Sequence, residues 1–325
     1  MSSAPNGCER TQRPCGSELA RDFSPFYREQ ARSRKNNSMP LVLAAFALTF
    51  CMTTAAQQTP FPAAIPAKEI APRTPPKRVV SLSLCLDELV IVLSDRQHIA
   101  AVSRLAHDPL YSVHWQAAQT LRSHNGLAEQ IVALQPDLIV GADYEHGKAV
   151  QVLRTLGFPV LTFASPATLA EIPGHIRAVA TALGATAKAE QVIAKLNKEL
   201  AAAQAKVAGK PAQLALSYAP NGYTAGTLSL KNELLHVAGF VTVADRLGRR
   251  YDSELALEQL LKINPDRIFL EERSGNQNSL AHRLLQHPTL RSAGFDARST
   301  AFPSQLWLCP GPQAGAAARM LAESR

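Results

Sequence analysis

Leu127-Ala128-Glu129-Gln130-Ile131-Val132-Ala133-Leu134-Gln135-Pro136-Asp137-Leu138-Ile139-Val140 returns later in the chain as Ala256-Leu257-Glu258-Gln259-Leu260-Leu261-Lys262-Ile263-Asn264-Pro265-Asp266-Arg267-Ile268-Phe269. Glu, Gln, Pro, Asp and Ile recur in register, and most positions between them stay apolar. Each copy reads as a short amphipathic helix stopped by a proline, which lacks an N–H and clashes with the preceding turn, then a buried strand. One such joint is common in any α/β protein; two copies far apart point to two lobes built alike.

The flanking sequence repeats the same order. Before the first copy come a strand-like Arg78–Ser83, a helix-like Leu86–Leu93 and a strand Ile99–Ser103. Before the second come Gln213–Tyr218, Ser229–Ala238 and a strand expected over Phe240–Ala244. After the first copy a helix through Gln151–Leu156 stops at Gly157, and Val160–Phe163 supplies another strand. Alternating strands and helices predict α/β lobes with parallel sheets. Between them, Leu169–Leu183 carries helical periodicity to Gly184, and Ala185–Ala208 continues without Gly or Pro, with an apolar stripe of Val192, Ile193, Leu196 and Leu200. The expected fold is α/β, two Rossmann-like lobes joined by one long α-helix with a ligand cleft between them.

A chain of 325 residues with 46% hydrophobic side chains is long enough for two domains. Its net charge of +8 owes part to residues 1–38, which hold seven basic and four acidic residues. No dense Lys/Arg cluster with interleaved aromatics remains, which argues against a nucleic-acid partner. Residues 41–52 form an uncharged apolar run preceded by Arg32, Arg34 and Lys35 and followed by small residues. That order is a secretory signal peptide, too short to span a bilayer, where about 20 residues are needed. Phe50 before Cys51 is bulky for a lipidation site, so cleavage near Ala56 is expected.

Residues 1–38 are then a disordered extension or lie upstream of the true start, 39–56 the signal peptide, and 57–77, with six prolines, an extended linker. The first lobe follows over 78–166, connecting helices over 167–208 and the second lobe over 209–325. Beyond the leader only Cys85 and Cys309 remain; the expectation is two buried free thiols, with a disulfide permissible in an exported protein.

The assembled pattern resembles the periplasmic substrate-binding proteins of ABC importers for cobalamin, ferric siderophores and haem. It rests on Arg78–Ser83, the two Glu-containing repeats, Leu183-Gly184 and Trp307-Leu308-Cys309-Pro310-Gly311-Pro312, and covers residues 78–322. The resemblance implies a periplasmic monomer without a cofactor of its own, a small metal-containing ligand, and an ABC permease dimer in the inner membrane as partner. It also implies that Glu129 and Glu258 dock on the permease. Each is in the first turn of its helix, where the dipole by itself favours a negative charge. Two departures leave the ligand open: Ala106 and Ser123 stand where cobalamin binders carry aromatics, and Gln313 follows Pro312 where the family commonly has Arg.

Ligands of open α/β sheets lie at loops after the carboxyl ends of strands. That rule nominates Cys85, His107, Tyr144, Tyr223, Arg249, Tyr251 and Trp307 as ligand-binding residues, within loops that also bring Arg250, Glu272 and Arg273. The aromatics offer stacking faces, and arginine pairs with carboxylates. His107 or His146 as an axial haem ligand is one alternative. A bare metal held by first-lobe histidines with His236, His282 or His287 is another. An exported enzyme or a sensor with a two-lobe cleft is the alternative of another class. Against an enzyme, the turn after the first strand, Ser83–Glu88, has no glycine for a dinucleotide, and no Gly-x-Ser-x-Gly elbow, Walker loop or four-cysteine set occurs.

Overall fold

Val79–Ser81 is buried at every residue and forms β1 at the centre of a parallel sheet. A strand covered on both faces must bury successive residues rather than alternate ones, and Val79, Val80 and the small Ser81 allow it. Around it stand β2 (Ile99–Ser103), β3 (Ser123–His124), β4 (Leu138–Ala142) and β5 (Val160–Phe163), in the order β3-β2-β1-β4-β5, every pair parallel. The connecting helices are α1 (Leu84–Leu93), α2 (Trp115–Ala118), α3 (Ala128–Ala133) and α4 (Gly147–Thr155). The computed structural model describes residues 74–272, 287–288 and 294–325. The leader, the apolar run 41–52, most of the proline-rich stretch, Arg273, His282 and the Glu272 side chain lie outside the described residues.

Next, α5 (Ile172–Leu183) ends at Gly184, whose φ of 69° is a left-handed helix stop. After it α6 (Thr186–Val207) runs 22 residues, about 33 Å at 1.5 Å per residue. Ala189, Ile193, Leu196, Ala203 and Val207 make its buried stripe, and the expected Val192 and Leu200 flank it half-buried.

The second lobe repeats the scheme with β6 (Gln213–Tyr218), β8 (Phe240–Thr242), β10 (Arg267–Glu272) and β11 (Ser299–Pro303) in the order β11-β10-β6-β8, again parallel. Two short strands, β7 (Tyr223–Thr224) and β9 (Ser253–Glu254), pair antiparallel beside it. Its helices are α7 (Leu230–Val237), α8 (Val243–Leu247), α9 (Leu257–Ile263), α10 (Gln305–Leu308) and α11 (Ala314–Glu323). The strand expected over Phe240–Ala244 stops at Thr242. There the Thr242 hydroxyl accepts the Asp245 N–H and the Asp245 carboxylate accepts the Thr242 N–H, a capping box that starts α8.

Both sheets divide their side chains by strand alternation. Val79, Leu138 and Val140, with Ala215 and Phe269 of the second lobe, enter one core that also holds Ile176, Ile193 and Leu321 from α5, α6 and α11. The opposite faces fill separate cores, Val80 and Ile139 in the first lobe, Leu214, Leu216 and Tyr218 in the second. The spine is thus packed into both lobes, as the shared core shows.

Candidate functional site

The chain leaves β1, β2, β3 and β4 at the same edge of the first sheet, and the four turns border an open hollow of about 770 Å³. Ser83, Arg104, Asn125, Gly126, Glu145 and His146 line it with Leu82, Leu84 and Leu105. Arg104 is exposed and brings a positive charge. Glu145 is half-buried, and burial raises its carboxyl above the ordinary range.

His124 belongs to the wall. Its Nε2 lies 2.7 Å from the Ser81 carbonyl and its Nδ1 accepts the Gly126 N–H at 3.0 Å, which fixes the tautomer with the proton on Nε2. Burial lowers its pKa, so the ring is held neutral and both nitrogens are occupied. Gly126 takes φ 78°, which favours glycine, and the exposed ring of His146 lies over it, 2.6 Å from where a Cβ would stand. His146 itself takes a left-handed φ of 54° and begins α4 with its side chain exposed.

Two buried carboxyls hold the β2 loop from beneath. Asp87 accepts hydrogen bonds from the N–H and the hydroxyl of Ser103, and Glu88 accepts the Val113 N–H at 3.1 Å and faces His114 at 3.6 Å. Desolvation outweighs these bonds and pushes both carboxyls up to about 7, while burial lowers His114. The loop they anchor carries Arg104 and Leu105 into the hollow.

The nominated residues divide. Cys85 and Cys309, expected as free thiols, form a disulfide with Cα atoms 5.2 Å apart, so Cys85 has no thiol to offer a ligand. The reason is topological: α1 begins where β1 ends, and the segment between α10 and α11 returns to that point from the other lobe. Trp307 is not at the cleft surface. It is 2% exposed, stacked on Phe302 at 4.0 Å, with the Lys231 ammonium 5.5 Å from its ring. Tyr144 and Tyr251 are 62% and 72% exposed, and Tyr144 directly precedes the lining pair Glu145 and His146. His107 is half-buried and does not line the hollow; its carbonyl accepts from Gln119 Nε2 at 3.0 Å. Tyr223 is half-buried in β7.

Arg249 spends its guanidinium internally, on Ser253 Oγ at 3.1 Å, the Glu254 carbonyl at 2.7 Å and Gln259 Oε1 at 3.1 Å. It lines a second hollow, of about 730 Å³, together with Asn221, Glu254 and Glu258. The structure therefore brings together Arg249 and Glu258, which the sequence assigns to different roles. Glu129 and Glu258 are both exposed in the first turns of α3 and α9. Of the metal alternatives, His236 points out of α7 to Asp245 Oδ2 at 2.6 Å, and among the described residues no three of His, Cys, Asp or Glu converge on one point.

A family model for periplasmic binding proteins matches residues 79–295. The chain belongs to that family. Among curated relatives, an uncharacterized ABC transporter substrate-binding lipoprotein of Bacillus subtilis (strain 168) is 25% identical over 211 residues, covering 62% of this chain and 65% of the relative. The vitamin B12-binding protein of Salmonella typhi is 31% identical over 153 residues, 45% of this chain and 56% of that one. The chain thus spans less than two thirds of the length of these curated relatives. Among solved periplasmic binding proteins, the apo heme-binding protein RhuT from Roseiflexus sp. RS-1 superposes with a TM-score of 0.65 at 24% identity, covering 76% of this chain and 97% of that chain. The vitamin B12-binding protein BtuF of Vibrio cholerae gives 0.59 at 20%, covering 77% and 96%. These likenesses carry the fold. Periplasmic binding proteins work outside the cytoplasm, and family membership implies that location here.

The sequence points to Tyr144 and His146 at this edge but not to Arg104, Asn125 or Gly126. Arg104 directly follows the last residue of β2, Ser103, so the rule that selected His107 applied to it more directly. For Asn125-Gly126 the signal was a two-residue strand too short to see in a sequence.

Proposed function

We propose that this periplasmic binding protein captures a metal-containing small molecule, an iron(III) siderophore chelate or cobalamin, between its lobes and delivers it to an ABC importer. The observation that carries the reading is the hollow at the carboxyl edge of the first sheet. It is roomy at about 770 Å³ and part apolar, and Arg104, Glu145 and His146 stand around it. Such a mixture suits a ligand with a broad apolar body and a few polar groups. The curated B12-binding relative and the fold shared with heme- and B12-binding structures support the same class.

Capture uses groups fixed before the ligand arrives. His124 is locked by two hydrogen bonds and the β2 loop by Asp87 and Glu88, so little ordering cost falls on binding. Delivery uses the repeats. Glu129 and Glu258 occupy equivalent exposed first turns, and a two-fold permease presents equivalent surfaces to equivalent carboxylates. ATP hydrolysis belongs to the importer. A haem ligand is the second reading, favoured by the exposed imidazole of His146 at the hollow.

The delivery step is tested by growth-dependent uptake in cells carrying Glu129→Ala with Glu258→Ala. Uptake should be lost while the purified double variant binds ligand like the parent; normal uptake would refute the docking assignment.

A further inference from the structure

The disulfide joins elements that no short path of chain connects. Cys85 lies in the first turn of α1 on the first lobe, and Cys309 follows α10 on the second, 224 residues away. The polypeptide between them passes through α5 and the spine α6. Near the same seam, the Leu169 N–H donates to Glu233 Oε2 at 2.7 Å; Leu169 precedes α5, and Glu233 is in the first turn of α7.

We infer that the Cys85–Cys309 bond is a strap between the lobes that limits how far the cleft opens, acting beside the spine rather than through it. A disulfide tolerates Cα separations up to about 6.8 Å. Starting from 5.2 Å, the strap leaves only about 1.6 Å of play at that point. The apolar packing shared by the lobes and the Leu169–Glu233 hydrogen bond can give way locally, whereas the covalent bond cannot. The strap also pulls on the right place. Cys85 is two residues from Ser83, which lines the hollow, and two from Asp87, which anchors the β2 loop. Opening the lobes against it would strain the floor of the site itself. The inference does not depend on which ligand binds or on the permease contact.

Hydrogen–deuterium exchange on the full chain tests it. The variant is Cys85→Ser with Cys309→Ser. The parallel sample is the native protein treated with a dithiol, which gives two electrons and two protons to the S–S bond, leaves two thiols and is itself oxidised to a disulfide. Far-UV circular dichroism checks that each sample is folded. Peptides covering Leu169 and the first turn of α7 should exchange about tenfold faster, while β1, β4 and β6 keep their rates. Unchanged exchange at Leu169 would overturn the strap. Equal acceleration in all three strands would also overturn it, in favour of a general stabilising bond. Should the serine variant fail to fold, the reduced native protein gives the same three outcomes.

Discussion

Asp137 and Arg78 are paired through their backbones and a carboxylate at once: Asp137 Oδ1 accepts the Arg78 N–H at 2.8 Å, and the Asp137 N–H donates to the Arg78 carbonyl at 3.2 Å. In the second lobe Asp266 does the same to Leu214, at 2.7 and 2.8 Å. The aspartate of each Pro-Asp joint therefore pins the entry of an inner strand of its sheet, β1 or β6. Arg78 returns the favour by donating to the Leu134 and Gln135 carbonyls at the end of α3, and Arg298 donates to Asn264 Oδ1 and the Pro265 carbonyl behind α9.

Asp137→Ala and Asp266→Ala should each lower stability by about 1–2 kcal/mol, the first by losing two exposed bonds, from the Lys77 and Arg78 N–H groups, the second one part-buried bond from Leu214. The sites share no partner, so the double variant should lose about the sum. Urea unfolding at neutral pH measures all three.

Asp87 and Glu88 set a pH dependence. Their carboxyls stand near 7 in the folded chain against ordinary values of 3.8 and 4.5. The folded state therefore holds these protons more tightly than the unfolded one. Their contribution to stability is full below about pH 4 and is lost as pH rises through about 7. Asp87→Asn removes one ionisation while keeping an acceptor for Ser103. It should flatten the fall between pH 5 and 8 and stabilise the protein at pH 8 by about 1–3 kcal/mol. Thermal melts across that range read the effect; a parent whose stability rises over this window would contradict it.

Lys231 and Glu271 form a shielded ion pair at 2.6 and 2.7 Å, with the lysine 15% and the glutamate 2% exposed. The ammonium also faces the Trp307 ring. Lys231→Met should cost about 1–3 kcal/mol, because it removes a charged hydrogen-bond partner of the buried Glu271 carboxylate. Trp307 fluorescence should report the loss at the same denaturant concentration as circular dichroism.

The two lobes and the spine were legible because their signals are local and repeated: a helix stopped by Pro, a buried run, Gly184 as a stop. The strand end at Thr242 was legible too, in Thr242-Val243-Ala244-Asp245, and was overridden by the apolar run Val241–Ala244. The cleft was harder. Trp307 sits at a strand-end loop in sequence, yet the next turn folds it onto Phe302, and only the neighbours on β11 decide that. Cys85 and Cys309 meet through the whole topology, which no spacing encodes. Glu129 and Glu258 stood out because they occur twice, and Arg104 did not because it occurs once.

Ligand capture is the centre of the account, and titration of the purified protein with haem, cobalamin and ferric siderophores tests it most directly. Trp115 is the reporter, half-buried in α2 beside the turn that carries Arg104, whereas Trp307 is enclosed in the second lobe. One of these ligands should quench fluorescence with one-to-one stoichiometry, and Arg104→Glu should change its affinity by about tenfold or more. Binding of none of them, or binding indifferent to Arg104, would contradict the proposed capture.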